Sequence, residues 1–218
     1  IVSNKLLLGE SGGFVDASEA AGVAASNWSW NARAVDLDND GWQDIYVGTG
    51  FEFLVRSMDF FIKHARNVLF LNEGGARFSV ASESWGLSDT TNTTSYSVTD
   101  FDLDGDMDII TMSQLGGTRI YENQVPAGNS ISFEFRDNAG NAYCIGCRIT
   151  VHSESGAQLR EIKASGGFMS YDEPIAHFGL GDDREVNRVE VLWSTGETTV
   201  LDRRLMAGYR YRLTRASD

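Results

Sequence analysis

Residues 36–47 read DLDNDGWQDIYV, and residues 100–111 read DFDLDGDMDIIT. The shared pattern is D-x-D-x-D-G-x-x-D followed by a β-branched or aromatic run. Asp36 and Asp100 are 64 residues apart, and so are Gly22 and Gly86 in a second motif. That second motif is NKLLLGESGGFVDASEAAGV at 4–23 and NVLFLNEGGARFSVASESWGL at 67–87, with one residue inserted on the way. Two motifs held at one offset mark an internal repeat, and repeats decide fold class before single elements do. Within each unit Leu6 and Leu8, or Leu69 and Leu71, alternate with their neighbours before a glycine turn. Ile45–Val47 and Ile109–Thr111 favour strand over helix. One stretch departs from this: Leu54, Val55, Met58, Phe61 and Ile62 recur at helical spacing, so 53–63 is read as a short helix or ordered loop.

The acidic loops point to Ca²⁺, a hard cation that takes six to eight oxygens. Side chains of Asp36, Asp38, Asp40 and Asp44, and of Asp100, Asp102, Asp104 and Asp108, are the expected ligands, joined by the carbonyls of Trp42 and Asp106. Gly41 and Gly105 at position 6 permit the sharp turn. Carboxylates this close repel one another without a cation. Magnesium fits less well, because it keeps several waters and demands a strict octahedron. An EF-hand is excluded: position 12 is Val47 or Thr111 instead of Glu, and the flanks are strand-like.

These loops, each tied to an N-x-L-x-L…GG…F…G segment, resemble the FG-GAP/VCBS-type calcium-binding repeats of β-propellers. Farther on, IGCRITV (145–151), GGFMS (166–170), HFGLG (177–181) and VEVLWSTG (189–196) are similar to an ASPIC/UnbV domain. The resemblance implies an extracytoplasmic, calcium-stabilised protein without an established catalytic apparatus. The fold class expected is therefore all-β: a partial β-propeller, about one full blade with parts of two others, followed by a small antiparallel β domain. Propeller repeats would occupy 1–123, a linker 124–129 around Pro126 and Gly128, and the second domain 130–218. Closure takes about four to eight blades. The chain is thus expected to be a fragment of a longer protein, or to have its open edges, around residues 1–10 and 53–63, covered by neighbours. In the second domain Val189, Val191 and Trp193 alternate with polar neighbours, as do Tyr209, Tyr211 and Leu213.

Composition bounds the rest. The 218 residues carry 42% hydrophobic and 22% charged side chains, an ordinary globular balance. No apolar run approaches the roughly 18 residues of a membrane span. A formal net charge of −13 argues against nucleic acid as partner, since phosphate binding needs a basic face. The chain begins at Ile1 with no signal-peptide pattern, which reads as a processed or truncated start. Cys144 and Cys147 could form a local disulfide, stay free, or join His152 and His177 on zinc. Glu52 with Asp59, or Asp172 with Glu173, are the acid–base candidates, but no nucleophile triad, P-loop or nucleotide-binding glycine pattern accompanies them. The reading is a noncatalytic calcium-binding scaffold or adhesion module outside the cytoplasm, with a protein partner or self-assembly through open blade edges as the alternative. A polysaccharide-active propeller enzyme ranks below both. A glycan is a further candidate partner through Trp28, Trp30 or Trp85. Asn27-Trp28-Ser29 and Asn92-Thr93-Thr94 are glycosylation sequons.

Overall fold

The structure, a computed structural model, describes residues 3–50, 65–113 and 116–215. Those residues are all-β, with eighteen strands, no helix and no closed barrel. The segment at 53–63, read above as a short helix or ordered loop, lies outside the described residues, as do Glu52 and Asp59.

The repeat is written into three sheets. β1 (Leu7–Glu10) and β2 (Gly13–Asp16) form a hairpin. β3 (Ser29–Val35), β4 (Asp44–Thr49), β5 (Val68–Asn72) and β6 (Phe78–Val80) make a four-stranded antiparallel sheet in chain order. β7 (Thr93–Thr99), β8 (Asp108–Ser113) and β9 (Gly117–Tyr121) make a three-stranded one. The 64-residue offset survives in fine detail: β3–β4 and β7–β8 carry the same register shift, at Ser29/Asn31 and at Thr93/Ser95. The turn after each hairpin repeats as well. Val23 N–H donates to the Ser18 carbonyl at 3.0 Å, and Leu87 N–H to the Ser82 carbonyl at 2.8 Å. The hydroxyls of the same two serines accept the N–H of Leu6 and of Leu69. Tyr46, Leu69, Tyr96, Val98 and Ile109 fill a core shared by the second and third sheets, with the rings of Tyr46 and Tyr96 edge to face at 5.0 Å.

The C-terminal domain is built from a pair of larger sheets around a core of its own. One runs β13 (Ile175–Gly181), β10 (Asn129–Arg136), β18 (Tyr209–Thr214); the other runs β12 (Ala157–Glu161), β11 (Arg148–His152), β15 (Arg188–Leu192), β16 (Thr198–Leu201). β14 (Glu185–Val186) and β17 (Leu205–Met206) add a short ladder. Pairing is antiparallel except between β10 and β18, which run parallel. That exception follows from connectivity: β18 reaches the edge of β10 only after the chain has crossed through the other sheet, so no hairpin dictates its direction. Val189, Val191 and Trp193 point into this core with Phe133, Phe135 and Phe178. The last strand alternates less cleanly. Tyr209 is exposed, and Arg210 turns inward to acidic partners, because its neighbour across the fold is an acidic loop and not oil.

Candidate metal centre

Each acidic loop is the tight turn joining two paired strands, β3 to β4 and β7 to β8. Gly41 and Gly105 sit at φ 93° and 98°, where a side chain would be strained. Asn39 and Leu103, at the fourth position, also take left-handed φ of 56° and 65°. Two such kinks fold the loop back so that its carboxylates converge. In the first loop Asp36, Asp38 and Asp40 each place an oxygen within 4.8 Å of the others. In the second the converging set is Asp100, Asp102 and Asp108.

The remaining expected ligands have identifiable positions. Asp44 accepts the N–H of Leu37 on one oxygen and of Asn72 on the other, at 2.9 and 2.8 Å. Asp108 does the same with Phe101 and Asn123, at 3.0 and 2.8 Å. The ninth-position aspartate therefore closes its own loop and fastens the next strand or turn. Asp40 and Asp104 accept the N–H of Trp42 and Asp106, at 2.7 and 2.9 Å, which sets the turn at the far side of each loop. The Asp106 carboxylate accepts from Asn39 Nδ2 at 2.7 Å. Asp36 Oδ1 and Asp100 Oδ1 are buried with no hydrogen-bond partner, an expensive state for a carboxylate unless a cation meets it. Burial first, and the neighbouring carboxylates second, push Asp36 up to about 7. Burial likewise carries Asp44 to about 7, and Asp106 to about 6 with help from its acidic neighbours. Three converging carboxylates in each partly desolvated loop are the hard oxygen donors that a calcium ion takes.

Asn39 and His177, which no acidic pattern singles out, tie the two loops to the C-terminal domain. Asn39 Nδ2 also donates to the Gly105 carbonyl at 3.2 Å, so the loops are joined side by side. Its Oδ1 therefore faces His177 Nε2, at 2.7 Å, which must carry the proton, while His177 Nδ1 accepts from Ser132 Oγ at 3.1 Å. The linker lies on the same knot: Gly128 N–H donates to the Asp38 carbonyl, Gly181 N–H to the Asn39 carbonyl, and Ser130 Oγ to the Gly105 carbonyl. Arg210 Nη2 stands 3.5 Å from Asp100.

His177 is buried, and burial together with the positive charges of Arg160 and Arg210 pushes its pKa down to about 3. The unfolded chain takes up that proton near pH 6.5, so acid favours unfolding through the whole interval. The contribution of His177 should be complete above pH 6.5 and fall by about 2 kcal/mol by pH 5. Urea unfolding in calcium at the two pH values measures this, and His177→Gln should flatten the slope.

Other candidates resolve differently. Cys144 and Cys147 are joined by a disulfide with Cα atoms 5.3 Å apart. His152 pairs with Glu190 at 3.1 Å, and no group of cysteines and histidines meets at ligating distance among the described residues, so the zinc arrangement is not formed. Asp172 pairs with Arg33 and accepts the Val98 N–H, while Glu173 pairs with Arg210 at 2.9 Å; both brace the fold. Trp85 packs on the core under the second and third sheets. Asn27 is exposed, but Asn92 is buried at a left-handed φ of 59°, out of reach of a glycan.

Residues 137–218 match the family described as ASPIC and UnbV. The C-terminal domain is an ASPIC/UnbV domain. The chain is also 37% identical over 105 residues to cartilage acidic protein 1 of Mus musculus, 36% over 110 residues to that of Homo sapiens, and 33% over 104 residues to that of Xenopus tropicalis. Each match covers 46% of this chain and 16% of the relative, so the chain spans only a small share of the proteins it resembles. In the ASPIC/UnbV domain, HFGLG forms the strand β13 that meets the acidic loops, and GGFMS forms the segment that meets β3.

Proposed function

We propose that the chain is a noncatalytic, calcium-stabilised scaffold or binding module that works outside the cytoplasm. In this reading β3–β6 form one blade of an FG-GAP/VCBS-type propeller, and β7–β9 and β1–β2 are parts of two others, with the boundaries 1–123, 124–129 and 130–218. The observation that carries it is the pair of equivalent loops, each with converging carboxylates and one buried, unpartnered aspartate oxygen. The disulfide and the word cartilage in the relatives' name both favour an oxidising, extracellular setting. Calcium here is structural: each loop ties two strands together and is hydrogen-bonded to the second domain. Two bound ions would bring the formal charge from −13 to −9 and relieve self-repulsion.

Calorimetric titration of chelator-stripped protein should give two Ca²⁺ per chain, and Asp36→Asn should remove one of them. Binding should weaken as pH falls below 7, since protons compete for Asp36 and Asp44. Absence of calcium binding to the wild-type chain sinks the reading.

A second reading, a subunit of a surface assembly, rests on the β1–β2 hairpin. All eight of its strand residues are exposed, including Leu7, Leu8, Phe14 and Val15, and the two strands pair only with each other among the described residues. An apolar hairpin with open edges should associate. Light scattering should show concentration-dependent association that Phe14→Asp abolishes; a compact monomer with slowly exchanging amides in 7–16 counts against it.

A further inference from the structure

The two acidic turns are joined by a pair of asparagines that reach across in opposite directions. Asn39 lies between Asp38 and Asp40, two of the three converging carboxylates of the first loop. Its Nδ2 leaves that loop and donates to the second, to Asp106 Oδ1 at 2.7 Å and to the Gly105 carbonyl at 3.2 Å. Asn123 is fastened to the second loop, its backbone N–H donating to Asp108 Oδ1 at 2.8 Å. Its Nδ2 reaches the first loop, donating to the Leu37 carbonyl at 2.7 Å as well as to the Met107 carbonyl at 3.3 Å. The start of the second domain adds a further strap: Gly128 N–H donates to the Asp38 carbonyl at 2.9 Å and Ser130 Oγ to the Gly105 carbonyl at 2.6 Å.

The repeat supplies an internal control for both asparagines. The position equivalent to Asn39 is Leu103, which takes a similar left-handed φ yet keeps 69% of its surface in solvent. The turn itself therefore does not require an amide there. The position equivalent to Asn123 is Asn72, whose N–H donates to Asp44 Oδ1 in the same way. Asn72 Nδ2, however, donates to the Gln43 carbonyl of its own loop. The cross-loop bonds are thus features of the pairing, over and above what each turn needs.

Two effects of opposite sign follow for a pair of cations. An ion in one loop lowers the acidic potential that attracts an ion to the other, which weakens the second binding step. Against that, closing the first loop around its ion fixes the carboxylates on either side of Asn39. The Asn39 amide then holds Gly105 and Asp106 in place, so the second ion meets a loop whose ordering cost is already partly met. The second loop is open to solvent at Phe101–Asp104, so salt screens the repulsion, whereas Asn39 is buried and its bonds act at contact. Ordering should win.

We propose that the two acidic loops fill with Ca²⁺ cooperatively, coupled through Asn39 and Asn123. This rests on the metal reading above and adds that each site raises the affinity of the other, by the same factor in both directions. The test is titration calorimetry of the full chain, stripped by chelator, with Ca²⁺ alone as the ligand. Asp100→Asn reports the first site by itself, and Asp36→Asn the second. The product of the two wild-type association constants should exceed the product of those single-site constants by about tenfold, within the roughly 5–150-fold usual for coupled sites. In an Asn39→Leu background, which installs the residue of the equivalent position, the same ratio should fall to about one, as independent sites require. Asn123→Ala leaves the Asn39–His177 bond in place and should lower the ratio as well, so a poorly folded Asn39 variant does not end the test. Two ions bound by the wild type with a ratio of one or less overturn the proposal and leave the metal reading standing. An unchanged ratio in either variant, once folded, does the same. No uptake of calcium by the wild type overturns both.

Discussion

Stripping calcium is expected to loosen the C-terminal domain from the sheets before either unfolds. The loop carbonyls that hold the linker and β13 belong to Asp38, Asn39 and Gly105, inside the two acidic turns. Without a cation, Asp36, Asp38 and Asp40 repel across 4.8 Å or less, and the buried Asp36 oxygen has nothing to meet it. The cheapest relief is for the loop to open, and an open loop no longer presents those carbonyls. A site whose dissociation constant is about a hundredfold below ambient calcium contributes roughly 2.7 kcal/mol. In a chain of this size that is roughly 5–10 °C of melting temperature per site. Chelation should therefore lower the transition and open residues 124–129 to limited proteolysis, with excess calcium restoring both. An unchanged transition and an uncut linker in chelator would show that the loops stand without metal.

How much of this was legible beforehand depends on the distance over which each feature is encoded. The repeat, the strands after each loop and the turn glycines are local, and the sequence pattern displayed them because period and φ requirements act over a few residues. The ASPIC/UnbV domain was legible through landmarks such as HFGLG. What those landmarks do was not. His177 looked like a spare ligand, yet it is a neutral donor to Asn39, 138 residues away. Asn39 looked like a filler position in its loop, yet it joins both loops and the second domain. Arg33, Arg160 and Arg210 carried no periodic signal, since their roles arise only when distant elements meet. Asn92 read as a sequon because three residues make a sequon, but burial is a property of the fold.

Gly179→Ala is expected to be among the most damaging glycine substitutions at the described residues. Gly179 lies in β13 with its carbonyl accepting from Gln158 Nε2 at 2.7 Å, so the strand is pinned from behind. A Cβ there would meet Asp36 Oδ2 and would stand 2.5 Å from Asn39 Cα and 2.6 Å from its carbonyl carbon. Those Asn39 atoms are main chain, so no rotamer change makes room, and either β13 or the first acidic loop must move. Displacing the loop breaks the His177–Asn39 bond and moves Asp36 away from Asp38 and Asp40, so calcium affinity at the first loop should fall together with docking. Overpacking against unyielding backbone costs about 3 kcal/mol. Gly196→Ala is the control: that glycine has φ 92° and nothing within 4 Å of an added Cβ, so it carries backbone strain alone, of about 1 kcal/mol. If Gly179→Ala melts no lower than Gly196→Ala and still binds two calcium ions, then the ASPIC/UnbV domain does not rest on the first loop. If instead it resembles the chelated wild type, with the linker cut at 124–129 and one calcium lost, then the contact between β13 and Asp36 is what couples the metal to the docking of the domain.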